Sequence, residues 1–175
     1  DYLRLLFARA GTTICHVCRR EVKKDSPESA ADEILAALDE GTRFYVLFPI
    51  QEEVSRELVR AARKGKPKAS SKDLSTQAFL ISLLQQGFSR LFRDGEMIEL
   101  QKPEDYPHDN FDNTYVLIDR LKAAPSVRGR LTEAVEAALK LGEGTVLIAP
   151  EGGADLLLSS HYACSACGLS FDPPS

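Results

Sequence analysis

Two Cys-x-x-Cys pairs constrain this chain more than any other feature. Cys15-His-Val-Cys18 stands near the start, Cys164-Ser-Ala-Cys167 near the end, and the 175 residues contain no other cysteine. Two residues between sulfurs let one tight turn offer both thiolates to one ion, and two such turns supply the four thiolates of a tetrahedral zinc site. If one ion takes both pairs, the two regions meet in space and the chain between Cys18 and Cys164 forms one looped-out domain. Protein then fills every coordination position, so the site is structural and has no place for water or substrate. A thiol oxidoreductase built on Cys15 and Cys18 is an alternative. A redox pair of the thioredoxin type, however, follows a strand and opens a helix, whereas this pair follows a helical pattern and Gly11 and enters a charged stretch. His16 lies inside the first pair and His161 three residues before Cys164, but four cysteines leave neither needed as a ligand.

The bulk properties exclude several classes. A net charge of −4 gives no global attraction to nucleic acid or membrane. With 43% hydrophobic and 27% charged residues the chain has the composition of an ordinary globular protein. Its longest clean apolar stretch, residues 44–50, is far shorter than the roughly 20 residues of a membrane span. No signal-peptide pattern opens the sequence, and cysteines at this spacing fit a reducing, cytoplasmic compartment. Residue 1 is Asp, and residues 1–9 read as the inside of an amphipathic helix without a cap; the expectation is a piece of a longer protein. Neither G-x-x-x-x-G-K-[S/T] nor G-x-G-x-x-G occurs, and no nucleophile triad is recognisable, so the chain is not read as an enzyme.

Hydrophobic periodicity gives an α+β reading. Helices are expected over residues 3–10, 29–38, 51–64, from 73 or 75 to 86, and over 126–141, with a short helix at 155–158. Strands are expected at 43–49, 88–92, 96–100, 114–121 and 144–149, forming a small mixed sheet covered by helices. Arg93-Asp94-Gly95 between two apolar runs is a hairpin signal. Residues 65–71 and 101–113 read as loops. Charge is uneven: residues 60–72 carry six basic residues and no acid, whereas residues 94–112 carry seven acids against one lysine. These are solvated surfaces in the plainer reading; in the sharper one the basic stretch is a contact for a partner or for nucleic acid, with Lys64, Lys66 and Lys68 the candidates for nucleic acid.

Four segments carry a family resemblance. They are residues 1–11 (DYLRLLFARAG) followed by a Cys-x-x-Cys turn, Gly87-Phe-Ser-Arg-Leu-Phe-Arg-Asp-Gly-Glu96, Val116-Leu-Ile-Asp-Arg120 with the helix after it, and Tyr162-Ala-Cys-Ser-Ala-Cys-Gly168. In this order they resemble the UvrA family, the damage-finding component of the bacterial excinuclease ABC. The resemblance implies an ABC-type ATPase, homodimeric and DNA-binding, that finds damage in nucleotide excision repair and loads UvrB. It also implies that residues 23–159 are the inserted UvrB-binding domain, and that residues 1–22 and 160–175 are a helix of the ATPase half plus a zinc module. ATP would belong to that parent and not to this span, which is expected to be monomeric.

The resemblance further implies that arginines of the hairpin and of the Asp-Arg strand contact UvrB. By position these are Arg90 and Arg120. The second hairpin arginine of the family pattern meets Phe92 here, with Arg93 and Asp94 following, and Arg93 is the candidate to substitute for it. Residues 51–73 are longer and more helical than the family pattern. Direct DNA contact through the basic stretch and the zinc module is the alternative to UvrB docking.

Overall fold

The computed structural model describes residues 13–22, 24–50, 71–161, 164, 167, 169 and 171. The helices expected over 3–10 and 51–64, and the basic Lys64, Lys66 and Lys68, lie outside the described residues.

A short hairpin, β1 (Thr13–Ile14) and β2 (Glu21–Val22), precedes the main body. Then follow α1 (Pro27–Ala37), β3 (Arg43–Pro49), α2 (Ser71–Gln85), β4 (Arg90–Arg93), β5 (Glu96–Glu99), β6 (Thr114–Lys122), α3 (Arg128–Leu141), β7 (Thr145–Pro150) and β8 (Leu156–Ser159). The class is α+β, as expected. The six-stranded sheet runs β5-β4-β6-β3-β7-β8. Each pairing in it is antiparallel, where a mixed sheet was expected. Two crossovers interleave to produce this: β3 reaches β4 through α2 with β6 lying between them, and β6 reaches β7 through α3 with β3 lying between them. Helix-bearing connections normally join parallel neighbours; here each such pair is held apart by a strand running the other way.

Local chemistry accounts for the element ends. Ser26 caps α1, its hydroxyl accepting from the Ser29 backbone N–H at 3.1 Å while the Ser29 hydroxyl accepts from the Ser26 N–H at 2.9 Å. With Pro27 at the first helical position, this starts the helix two residues earlier than periodicity suggested. In the β4–β5 hairpin, Asp94 and Gly95 have φ of 50° and 87°, the pair of left-handed residues that matches strand twist in a two-residue turn. Ser126 does not cap α3; Pro125–Val127 form a 3₁₀ turn and the helix begins at Arg128. Residues 155–158, expected as a helix, instead contribute to edge strand β8, with Leu156, Leu157 and Leu158 paired to β7.

All three described helices pack on one face of the sheet. Ala30, Ala31 and Ile34 of α1, Phe79, Leu80 and Leu83 of α2, and Leu131, Val135 and Ala138 of α3 share a core with Phe44, Val46, Leu91, Val116, Val146 and Ile148. Arg128 clamps α3 to α1 through Asp32 (2.7 and 2.9 Å), and this bidentate bond holds the Asp32 carboxyl below its ordinary range. Arg130 binds Asp119 of β6 in the same two-pronged way, at 2.8 Å twice. The other side chains of the central strands form a second cluster: Leu47, Leu147 and Ala149, with Tyr45, Phe92, Tyr115 and Leu117 against them. Among the described residues no helix is long and apolar enough to cross a membrane.

Gly144 holds the chain that leaves β8 against the turn between α3 and β7, its carbonyl accepting from the Ser160 N–H at 2.8 Å. Its φ is 87°, and a Cβ added there would collide with the His161 ring and lie 2.7 Å from the Ser160 hydroxyl. The His161 ring instead lies against this turn, with Nε2 3.0 Å from the Glu143 carbonyl oxygen. Gly144→Ala therefore meets both left-handed strain and a steric clash. A loss of about 1–3 kcal/mol is expected in denaturant unfolding; an unchanged midpoint would show that His161 moves aside freely.

Candidate functional site

Two features of the structure have the chemistry of a site: the cysteine cluster and an arginine-bearing face of the sheet.

The cysteines come together as their spacing implied. The four sulfurs, of Cys15, Cys18, Cys164 and Cys167, all lie within 4.8 Å of one another. Two similar turns present them. In the first, Cys15 N–H donates to the Arg20 carbonyl at 2.8 Å and Arg19 N–H to the Cys15 carbonyl at 2.9 Å. In the second, Cys164 N–H donates to the Leu169 carbonyl at 2.9 Å, which again spans five residues. Arg19, directly after Cys18, takes φ of 62° to complete its turn; Gly168 holds the equivalent sequence position after Cys167. Cys15 and Cys164 are buried with Val22, and Cys18 and Phe171 pack beside them.

Four sulfurs at this separation fit zinc. A tetrahedral ion with Zn–S bonds near 2.3 Å needs sulfurs about 3.8 Å apart, within the spread found. Crowded against its neighbours without a cation, Cys167 is pushed up to about 12, first by the hydrogen bond with Cys18, then by desolvation and by bonds with Cys164 and Cys15. A divalent ion reverses that logic, because it is the charge that permits several thiolates side by side. When bound, zinc would supply a rigid cross-link between the two turns. His16 faces elsewhere, its ring edge-on to Phe171 at 5.9 Å, and His108 stacks edge-on against Tyr106. The contact between the two turns is as close as 3.3 Å, from Cys18 Sγ to Cys164 Sγ. A redox pair would instead set Cys15 against Cys18 in isolation; here all four sulfurs form one cluster.

The second feature lies on the sheet face opposite the described helices. Side chains alternate along a strand, so Arg90 and Phe92 of β4 share the side opposite Leu91, which is in the helix-covered core. On β6, Leu117 and Arg120 would ordinarily face opposite ways. A bulge changes this: the register with β3 steps from Leu47↔Leu117 to Val46↔Asp119, skipping Ile118. The extra residue turns Asp119 toward α3 and brings Arg120 onto the face of Leu117. Arg90 and Arg120 are therefore on one side of the sheet, 55% and 53% exposed. Arg90 pairs with Glu99 at 3.5 Å, and Arg120 with Glu151 at 3.3 Å.

Arg93 is used differently. Its parity directs it to the core side, where its side chain is 15% exposed and its guanidinium donates to the Tyr106 hydroxyl at 3.0 Å and the Asn110 carbonyl at 2.9 Å. The Tyr106 bond foremost, with the neighbouring Asp94 carboxylate, raises its already high pKa. Arg93 thus ties the hairpin to the 101–113 loop. Asp94, at the hairpin tip, is 65% exposed and accepts from the Asn113 amide at 3.4 Å.

Sequence reasoning passed over Tyr45 and Glu151. The Tyr45 ring lies 5.6 Å beneath the Arg120 guanidinium, and its hydroxyl donates to Glu151 Oε1 at 3.1 Å. The Phe92 ring stands 5.9 Å from Tyr45. Tyr45 reads as one more residue of a buried-type strand, and Glu151 as one of many surface acids; only the β6-β3-β7 pairing brings them to Arg120.

A family profile, the UvrA interaction domain, matches residues 25–152. The chain belongs to the UvrA interaction domain family. The match begins at Asp25, whose backbone N–H donates to the Ser159 carbonyl at 2.9 Å, so this UvrA interaction domain opens where its entering and leaving chains touch. Similarity continues across the cysteine turns. UvrABC system protein A of Clostridium perfringens is 35% identical over 98% of this chain and 16% of its own length. Its counterpart in Clostridium tetani is 34% identical over 98% and 16%, and that of Streptococcus pyogenes serotype M3 33% over 97% and 16%. The chain thus spans about one-sixth of the length of the curated relatives it matches.

Proposed function

We propose that this chain is the UvrB-docking domain of a UvrA-type protein, with residues 23–159 as the docking body and the cysteine turns as a structural zinc module at its base. The observation that carries the reading is the placement of Arg90 and Arg120 on one sheet face, brought there by strand parity in β4 and the bulge in β6. Two forked guanidinium groups on a surface with aromatic neighbours suit the carboxylates and apolar side chains of a protein partner. The family match supports a place in the UvrABC system, and hence a role in nucleotide excision repair. No chemical step is assigned to the chain: its task is recognition, and ATP turnover and DNA engagement would belong to the longer protein.

Calorimetric titration with UvrB tests this. Saturable binding is expected, weakened about 10- to 100-fold by Arg90→Ala combined with Arg120→Ala, since charged residues in an interface commonly contribute at that level. Equal affinity in the double variant would remove this face from the reading. Absence of binding by the folded, zinc-loaded wild type would remove UvrB as the partner.

A further inference from the structure

The two arginines on this face are both already engaged by glutamates of their own chain. Glu151 Oε1 receives Arg120 Nη2 at 3.3 Å and the Tyr45 hydroxyl at 3.1 Å. Glu99 takes Arg90 more loosely at 3.5 Å. Glu151 itself is 42% exposed, so the Arg120 pair faces solvent and an incoming carboxylate can reach the same guanidinium.

We propose that Glu151 is an intramolecular competitor for Arg120: it occupies the place a partner carboxylate takes and must be displaced for docking. This rests on the docking reading above. The Tyr45 ring is what separates competition from simple positioning. The guanidinium already lies over that ring and is attracted to its face, so Arg120 keeps its place on the surface without Glu151. Glu151 adds a charge at the guanidinium edge, where an Arg fork takes a carboxylate. Exposed pairs of this kind shift an equilibrium about 1.5- to 5-fold, so Glu151 lowers affinity for an acidic partner without abolishing it. It also discriminates: a partner lacking a well-placed carboxylate gains nothing in exchange for breaking the internal pair.

Glu151→Gln separates the possibilities, because glutamine keeps an oxygen for the Tyr45 hydroxyl and removes the charge. Titrated with UvrB, Glu151→Gln is expected to bind about 2- to 5-fold more tightly than wild type. In an Arg120→Ala background the same change should have no effect, since the competitor acts only through that guanidinium. Wild-type binding with Glu151→Gln unchanged or weaker would overturn the competitor while leaving the docking reading intact. Tighter binding that persists without Arg120 would also overturn it, placing the effect in general charge. If neither wild type nor Glu151→Gln binds, both readings fall together. Matching thermal unfolding of the variants confirms that each comparison is between folded proteins.

Discussion

Removing zinc, or replacing Cys164 with serine, is expected to unfold the cysteine turns and leave the six-stranded domain standing. The two parts draw on different resources. Among the described residues the turns bury Cys15, Val22 and Cys164, with Cys18 and Phe171 beside them, and their described strands are two residues long. Such a unit cannot offset its own conformational entropy, and in small metal-bound modules the metal supplies on the order of 10–16 kcal/mol. The main core is a separate cluster of buried residues from three helices and the sheet. One zinc per chain is therefore expected, with cobalt substitution giving the thiolate charge-transfer and tetrahedral visible bands of four sulfur ligands. Cys164→Ser should weaken metal binding by more than about 100-fold, beyond the 10- to 100-fold typical of losing a supporting residue. Hydrogen exchange gives the decisive readout. The Cys15 and Arg19 amides, which close the first turn, should lose protection on chelation while those of β3 and β6 keep theirs. Protection of the Cys15 amide that survives complete metal removal would show that the turns fold without an ion.

The second large effect is expected at Phe44. It is fully buried in β3, the strand flanked on both sides by β6 and β7, and it shares the core with all three helices. Phe44→Ala should cost about 3–5 kcal/mol, the lost transfer energy plus the cavity left behind. Because β3 is hydrogen-bonded on both edges, the surroundings have little freedom to collapse into the space. Urea unfolding would be read as a lower midpoint at unchanged slope. A loss below about 1.5 kcal/mol would mean that the core closes over the gap, and that the helix layer is less firmly packed than its burial indicates.

Much of this arrangement is legible in the sequence, and the reasons differ from element to element. The stripe Ile34, Leu35 and Leu38 announces α1, and Leu131, Val135, Ala138 and Leu139 announce α3, because helical period is a local property. Asp94-Gly95 announces its hairpin because few residues accept the left-handed region in succession. The cysteine cluster follows from ligand chemistry alone: two pairs, one coordination number. Residues 155–158 mislead because a run of three leucines has no period, so only pairing with the edge of the preceding strand, β7, settles it as a strand. The direction of Arg120 was hidden for a related reason. Val-Leu-Ile-Asp-Arg carries no mark of a bulge; the bulge shows only in the pairing of β6 with β3, and it leaves Asp119 where it accepts the two-pronged bond from Arg130. Arg93 likewise stood as the candidate for the second hairpin arginine, yet strand parity sends Arg90 to solvent and Arg93 to Tyr106.

The bonds at the base of the domain have a further consequence. Asp25 N–H donates to the Ser159 carbonyl, and Ser159 N–H returns a bond to the Asp25 carboxylate at 3.2 Å. The chain thus enters α1 and leaves β8 side by side, one hydrogen bond apart. A body entered and left at neighbouring points can be set into a turn of a host protein without spreading the host's own strands, because the host sees only two adjacent stubs.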